Sequence, residues 1–112
     1  MKSIELLAHL SMSSPAGMAK DLEVNELLNG PFGRILEIRL QNGAILKRHK
    51  ADEPITVLCL SGGGVFRAGA DLEDSQEMVA GTFITLEAGI EHEFAATPAG
   101  SILVTRFKPA HI

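Results

Sequence analysis

The stretch NGAILKRHKADEPITVLCLSGGG, residues 42–64, combines a lone histidine, a short charged turn, a β-branched run and a triple glycine. A second stretch, GTFITLEAGIEH at residues 81–92, has a similar layout. Each stretch carries one histidine at the end of a predicted strand, with glycines at fixed offsets from it. We interpret the two stretches as two walls of one small barrel, with His49 and His92 facing a shared pocket.

Short strands alternate with turns along most of the chain. Apolar and charged residues alternate from Arg34 to Leu40, which predicts a half-buried strand. The Asn42-Gly43 pair predicts a turn, because both residues tolerate a positive φ. Further short strands are expected at residues 44–49, 56–60, 65–67, 77–79, 82–86, 92–96 and 102–107, with turns at residues 62–64 and 98–100. This pattern predicts an all-β sandwich or barrel.

The N-terminal part of the chain is less regular. Residues 3–8 fit either a strand or the start of a helix, and residues 20–28 have a loosely helical spacing of apolar residues. We expect a single domain over residues 1–112, with a barrel core at about residues 34–107. Residues 1–30 are expected to pack on this barrel or on a second subunit of a homodimer. The apolar side chains that need such cover are Ile4, Leu6, Leu7 and Leu10.

Charge and cysteine content exclude several classes of protein. The net charge of −4 argues against a nucleic-acid binder, which needs a basic face. Basic residues form no run longer than Lys47-Arg48, and no stretch reaches the roughly 18 apolar residues of a membrane span. The single Cys59 excludes a disulfide framework within the chain, and its apolar surroundings predict a buried, inert thiol. A cytoplasmic protein is the default expectation.

The histidine pair is the candidate functional site. A strand period of two puts His92 on the same face as Phe94, which predicts that its ring points inward. The direction of His49 is less clear. The two imidazoles could bind a divalent metal ion, such as iron, nickel, manganese or zinc, with Glu53 as a further ligand. Alternatively, both histidines are hydrogen-bonded to each other, to water or to the backbone, and Glu53 is a surface acid in a turn.

At these positions the chain resembles the cupin superfamily, over roughly residues 34–107. The first cupin motif contains a glycine, two histidines, a glutamate and a second glycine at fixed spacing. Gly43, His49 and Gly62 match it, whereas Ala51 and Ile55 occupy the positions of the second histidine and the glutamate.

The second cupin motif is matched in a similar, incomplete way. Gly81, Gly89 and His92 fall on its glycine and histidine positions. Glu87 and Ala96 stand at its proline and asparagine positions.

The resemblance implies an RmlC-like double-stranded β-helix, which is a jelly-roll barrel and is usually dimeric. In cupin enzymes it also implies a metal ion held by three histidines and a glutamate. Because two of these four positions are apolar here, we predict a small-molecule-binding module with an incomplete metal site and a ligand pocket lined by Ala51, Ile55 and Phe94. The alternative is a metal-dependent enzyme of the dioxygenase or isomerase type that uses His49 and His92.

Overall fold

Seven strands make up the regular structure of residues 3–109, which are the residues that the computed structural model describes. The strands are β1 (Leu22–Asn29), β2 (Gly33–Leu40), β3 (Ile45–His49), β4 (Ile55–Ala68), β5 (Asp74–Val79), β6 (Phe83–Leu86) and β7 (His92–Phe107). Every pair is antiparallel, in the order β1-β2-β7-β4-β5, with β3 added to β7 and β6 added to β4. The fold is all-β, as predicted, and is that of a jelly-roll barrel. None of these residues belongs to a helix that is long and apolar enough to cross a membrane.

Two long strands, β4 and β7, pair with each other and organise the barrel. The predicted turns at residues 62–64 and 98–100 are wrong, because both segments lie inside these strands. The ladder is interrupted by register shifts at residues 59–61 and 62–64, which bend the strands without ending them. Glycine makes the bend possible, since a Cβ atom at Gly62 would lie far inside van der Waals contact with the carbonyl oxygen of Ala99.

The bend lets β7 take part in both halves of the barrel. Its residues 92–95 pair with β3, and its residues 100–107 pair with β2. Side chains of the inner faces then meet in one core, whose buried members include Ile38, Leu40, Val57, Cys59, Phe66, Phe94, Ile102 and Val104. The prediction that Cys59 is buried is confirmed, and burial raises the pKa of its thiol.

The N-terminal part departs from the sequence-based interpretation. Residues 22–29 form β1, so the helical interpretation of residues 20–28 is wrong. Pairing with the free edge of β2 outweighs the weak local periodicity. Residues 3–21 contain no strand or helix, and two buried side chains hold residues 13–20 against the barrel. Gln41 donates to the carbonyl oxygens of Met18 and Lys20, and the Ser61 hydroxyl donates to the carbonyl oxygen of Ser13.

Candidate functional site

The structure brings His49 and His92 together on the neighbouring strands β3 and β7. They are register partners, and their ring centroids are 4.2 Å apart in an edge-to-face arrangement. His92 is buried, with 4% of its surface exposed, whereas His49 is exposed beside it. The pair therefore spans the boundary between the barrel interior and the solvent.

A β-bulge determines the direction of His49. In a regular strand, His49 would share a face with Ile45 and Lys47, opposite to the face of Leu46. The register of β3 on β7 shifts between Leu46 and His49, which inserts one extra residue. The inserted residue turns the imidazole of His49 to the side of Leu46, which is the side of His92.

Both imidazoles are held in the same way by the backbone. Nδ1 of His49 lies 2.7 Å from the carbonyl oxygen of Lys47, and Nδ1 of His92 lies 2.9 Å from that of Ile90. A carbonyl oxygen only accepts hydrogen bonds, so Nδ1 carries the proton in each ring. In the neutral form, Nε2 of each ring then keeps a lone pair for a ligand.

The environment of His92 favours its neutral form. Burial is the main cause that lowers the pKa of this imidazole, and the nearby His49 lowers it further. The hydrogen bond to the carbonyl oxygen of Ile90 acts in the opposite direction without reversing the shift. At neutral pH, Nε2 of His92 is therefore a hydrogen-bond acceptor inside the barrel.

Behind the two histidines lies a cavity of about 190 Å³. Its wall is mostly apolar and is formed by Val24, Leu36, Ile38, Leu46, Ala51, Ile55, Val57, Phe66, Ile102 and Val104, together with the polar residues His49, Lys50, His92 and Arg106. The ring of Phe66 stacks on that of His92, with centroids 5.5 Å apart. The apolar part of the cavity wall therefore borders directly on the histidine pair. Apolar cavities of roughly 150 Å³ are large enough to bind a molecule such as benzene.

The residues proposed from the sequence take different positions around this cavity. Ala51 and Ile55 belong to its wall. Phe94 is completely buried in the core, where its ring lies 6.4 Å from that of Phe66, and it is not part of the cavity wall. Glu53 forms an ion pair with Arg106, with 3.0 Å between Oε1 and Nη2, rather than joining the histidines.

The donor set does not fit the metal site of the cupin enzymes. Ala51 and Ile55 supply hydrocarbon at two of the four ligand positions, and Glu53 is engaged by Arg106. Within residues 3–109, no three or more His, Cys, Asp or Glu side chains are grouped so that they could hold a metal ion. Two imidazoles alone bind a divalent ion weakly.

The sequence interpretation missed two polar residues of the wall, Lys50 and Arg106. Arg106 could have been found, because it continues the alternation of Ile102 and Val104, both of which point into the barrel. Lys50 follows the bulged end of β3, where the period of two no longer predicts a direction.

A second depression, of about 480 Å³, is lined by residues of β4, β5 and β6. Its lining includes Phe66, Gln76, Ile84 and Leu86 but no histidine of residues 3–109. It is larger than the inner cavity but opens broadly to solvent. We place the candidate site in the inner cavity, where the apolar wall and the converging polar groups coincide.

No protein-family model matches the chain, and no curated protein matches it. Solved structures do match. A conserved protein of unknown function from Streptococcus pyogenes is 21% identical with a TM-score of 0.77, and the match covers 98% of this chain and 95% of that one. An RmlC-like cupin protein from Desulfovibrio desulfuricans is 19% identical with a TM-score of 0.73, covering 98% of this chain and 99% of that one.

A more distant match is Fe(II)-HppE, solved with an alternative substrate. It is 16% identical with a TM-score of 0.66, and the match covers 75% of this chain and 48% of that one. These similarities agree with the spacing of the glycines and histidines in the two motifs. The chain therefore has the cupin fold, as the resemblance implied.

Proposed function

We propose that the protein is a small-molecule-binding module whose ligand occupies the cavity behind His49 and His92. The observation that carries the proposal is the cavity itself, which combines a largely apolar wall with a few polar groups at one side. Ligand sites in proteins commonly have this composition. The apolar wall supplies most of the binding free energy, and the polar groups orient the ligand.

The histidine pair supplies hydrogen-bond acceptors for a bound molecule. Each Nδ1 is occupied by a backbone carbonyl oxygen, so each Nε2 is free to accept a hydrogen bond from any hydroxyl or amide group that a ligand carries. His92 gives a fixed contact because it is buried and its ring packs on Phe66. His49 is exposed and contacts the ligand at the cavity entrance.

Fluorine NMR with 4-fluorobenzamide as the probe tests this proposal. We expect the probe to bind the wild-type protein and to lose binding in Ala51→Leu, because the larger side chain fills the cavity. Ala80→Leu, at an exposed turn, adds the same side chain elsewhere and should leave binding unchanged. Equal binding by the wild type and Ala51→Leu would contradict the proposal, provided that both proteins unfold cooperatively on heating.

A second candidate function is that of a metal-dependent enzyme that uses His49 and His92. It is supported by the anchoring of both Nδ1 atoms, which is the way metal-binding histidines are usually oriented. The number of ligands argues against this candidate, because residues 3–109 contain no group of three or more His, Cys, Asp or Glu side chains that could hold a metal ion. Elemental analysis of protein purified without chelators separates the two candidates, because one equivalent of iron, nickel, manganese or zinc would favour the enzyme.

We also propose that the protein forms a homodimer and works in the cytoplasm. Support for the dimer comes from the exposed apolar side chains of the N-terminal segment, Ile4 and Leu6. The cytoplasmic location is supported by Cys59, which is a free thiol.

A further inference from the structure

Arg106 is placed in the cavity wall by the inward alternation of β7. It pairs with Ile55 across the ladder to β4, and Ile55 belongs to the same wall. Its guanidinium is only partly satisfied by the protein. Nη2 donates to Glu53, but Nε is buried and has no hydrogen-bond partner among residues 3–109.

A buried guanidinium N–H group without an acceptor is costly, and more so because the group is charged. Polar groups of this kind are usually satisfied in the functional state of a protein. The missing partner must be an acceptor that reaches Nε of Arg106, whose side chain lines the cavity. Glu53 does not supply it, because this carboxylate is held on Nη2.

The charges of the wall define the chemistry of that acceptor. Lys50 and Arg106 are cations, and no Asp or Glu side chain lines the cavity. Glu53 pairs with Arg106, and the exposed Lys50 adds a second cation to the lining. The remaining wall is apolar, apart from the two histidines.

From these observations we infer that the ligand is a small apolar monocarboxylic acid, whose carboxylate accepts a hydrogen bond from Nε of Arg106. This inference rests on the proposed function, since it names the ligand class of the same cavity. A single charge fits better than a phosphate dianion, because Glu53 already occupies Nη2 of Arg106 and the unpartnered Nε supplies one N–H donor. The apolar body of the acid packs against the wall formed by residues such as Ile55, Val57 and Ile102.

The test compares three probes of one shape and different charge by fluorine NMR titration: 4-fluorobenzoate, 4-fluorobenzamide and 4-fluorobenzylamine. We expect the benzoate to bind roughly ten- to hundredfold more tightly than the neutral amide, which is the range of a charge-assisted hydrogen bond. The benzylamine should bind most weakly. In Arg106→Met the preference for the benzoate should disappear.

Two further variants keep the result interpretable. Arg67→Met removes an arginine that is likewise paired with a glutamate, but on the outer surface, and should leave the preference unchanged. Glu53→Gln removes the negative charge beside Arg106 and should strengthen benzoate binding without changing amide binding, even if Arg106→Met fails to fold.

The outcomes separate the inference from the proposed function. If the amide binds as tightly as the benzoate, the carboxylate inference is overturned and the binding module stands. If none of the three probes binds, the proposed function fails as well. A preference that persists in a folded Arg106→Met protein would also overturn the role given to Arg106.

Discussion

His92 is the buried member of the histidine pair, and the pKa of its imidazole is lowered mainly by burial. The unfolded chain therefore takes up a proton on this residue at a higher pH than the folded protein does. Between the lowered pKa and the usual value of about 6.5, the unfolded state binds more protons. The free energy of unfolding should accordingly fall as the pH is lowered through this window.

Urea denaturation between pH 8 and pH 5 measures this effect. We expect the loss of stability on acidification to be smaller in His92→Gln, which cannot titrate at this position. His9→Gln, which changes an exposed histidine, should keep the wild-type pH dependence. The same pH dependence in all three proteins would show that burial does not shift the pKa of His92.

Residue-level inference from the sequence succeeded where the strand was regular. The alternation of His92 with Phe94 correctly placed His92 in the interior. For His49 the direction stayed open, because the bulge depends on the register between β3 and β7, which no local pattern encodes. Phe94 was assigned to the ligand pocket by the same alternation, but alternation does not distinguish a core position from a cavity wall.

Among the elements, β4 shows how a glycine run can continue a strand. A Cβ atom at Gly64 would lie 2.8 Å from the ring of Phe94 and much closer to the carbonyl oxygen of Ala95. The backbone of β7 would have to move away to accommodate it. We expect Gly64→Ala to lower the free energy of unfolding by about 1–3 kcal/mol, the usual cost of overpacking.

Chemical denaturation of Gly64→Ala against Gly30→Ala provides the measurement. The nearest atoms to a Cβ at Gly30 are those of Leu28, at 3.7 Å or more, so this control should be nearly neutral. Equal stability of the two variants would mean that β4 and β7 do not approach as closely as described.

The element boundaries show where local signals are insufficient. Glycine and proline clusters ordinarily mark turns, and this rule split both β4 and β7. In this barrel the glycines of these clusters lie inside β4 and β7 and allow the two backbones to approach closely. The weak helical spacing of residues 20–28 failed for a related reason, since pairing with β2 and not local preference determines β1.

At the scale of the whole molecule, the N-terminal segment leaves apolar side chains uncovered. Ile4 is 83% exposed and Leu6 is 75% exposed. Light scattering at micromolar concentration should give the mass of a dimer, and the double variant Ile4→Ser, Leu6→Ser should give that of a monomer. Phe32→Ser, at an equally exposed site between β1 and β2, should remain dimeric. A monomeric wild-type protein would contradict the proposal.

The global fold was predictable because two motifs with fixed spacing imply one architecture. The matched positions that indicated a cupin barrel are Gly43, His49, Gly62, Gly81, Gly89 and His92. The ligand class that we propose was not predictable from these motifs, because it depends on Arg106, which lies outside both motifs in the wall of the cavity.

The cavity behind His49 and His92 is the binding site that we propose. The most direct measurement is nitrogen-15 NMR of the imidazole rings during titration with 4-fluorobenzamide. We predict Nδ1-protonated rings for His49 and His92 and saturable shifts of their Nε2 resonances, with no shift for the exposed His9. Shifts confined to His9, or no change at the His49 and His92 rings while the probe binds, would contradict the claim.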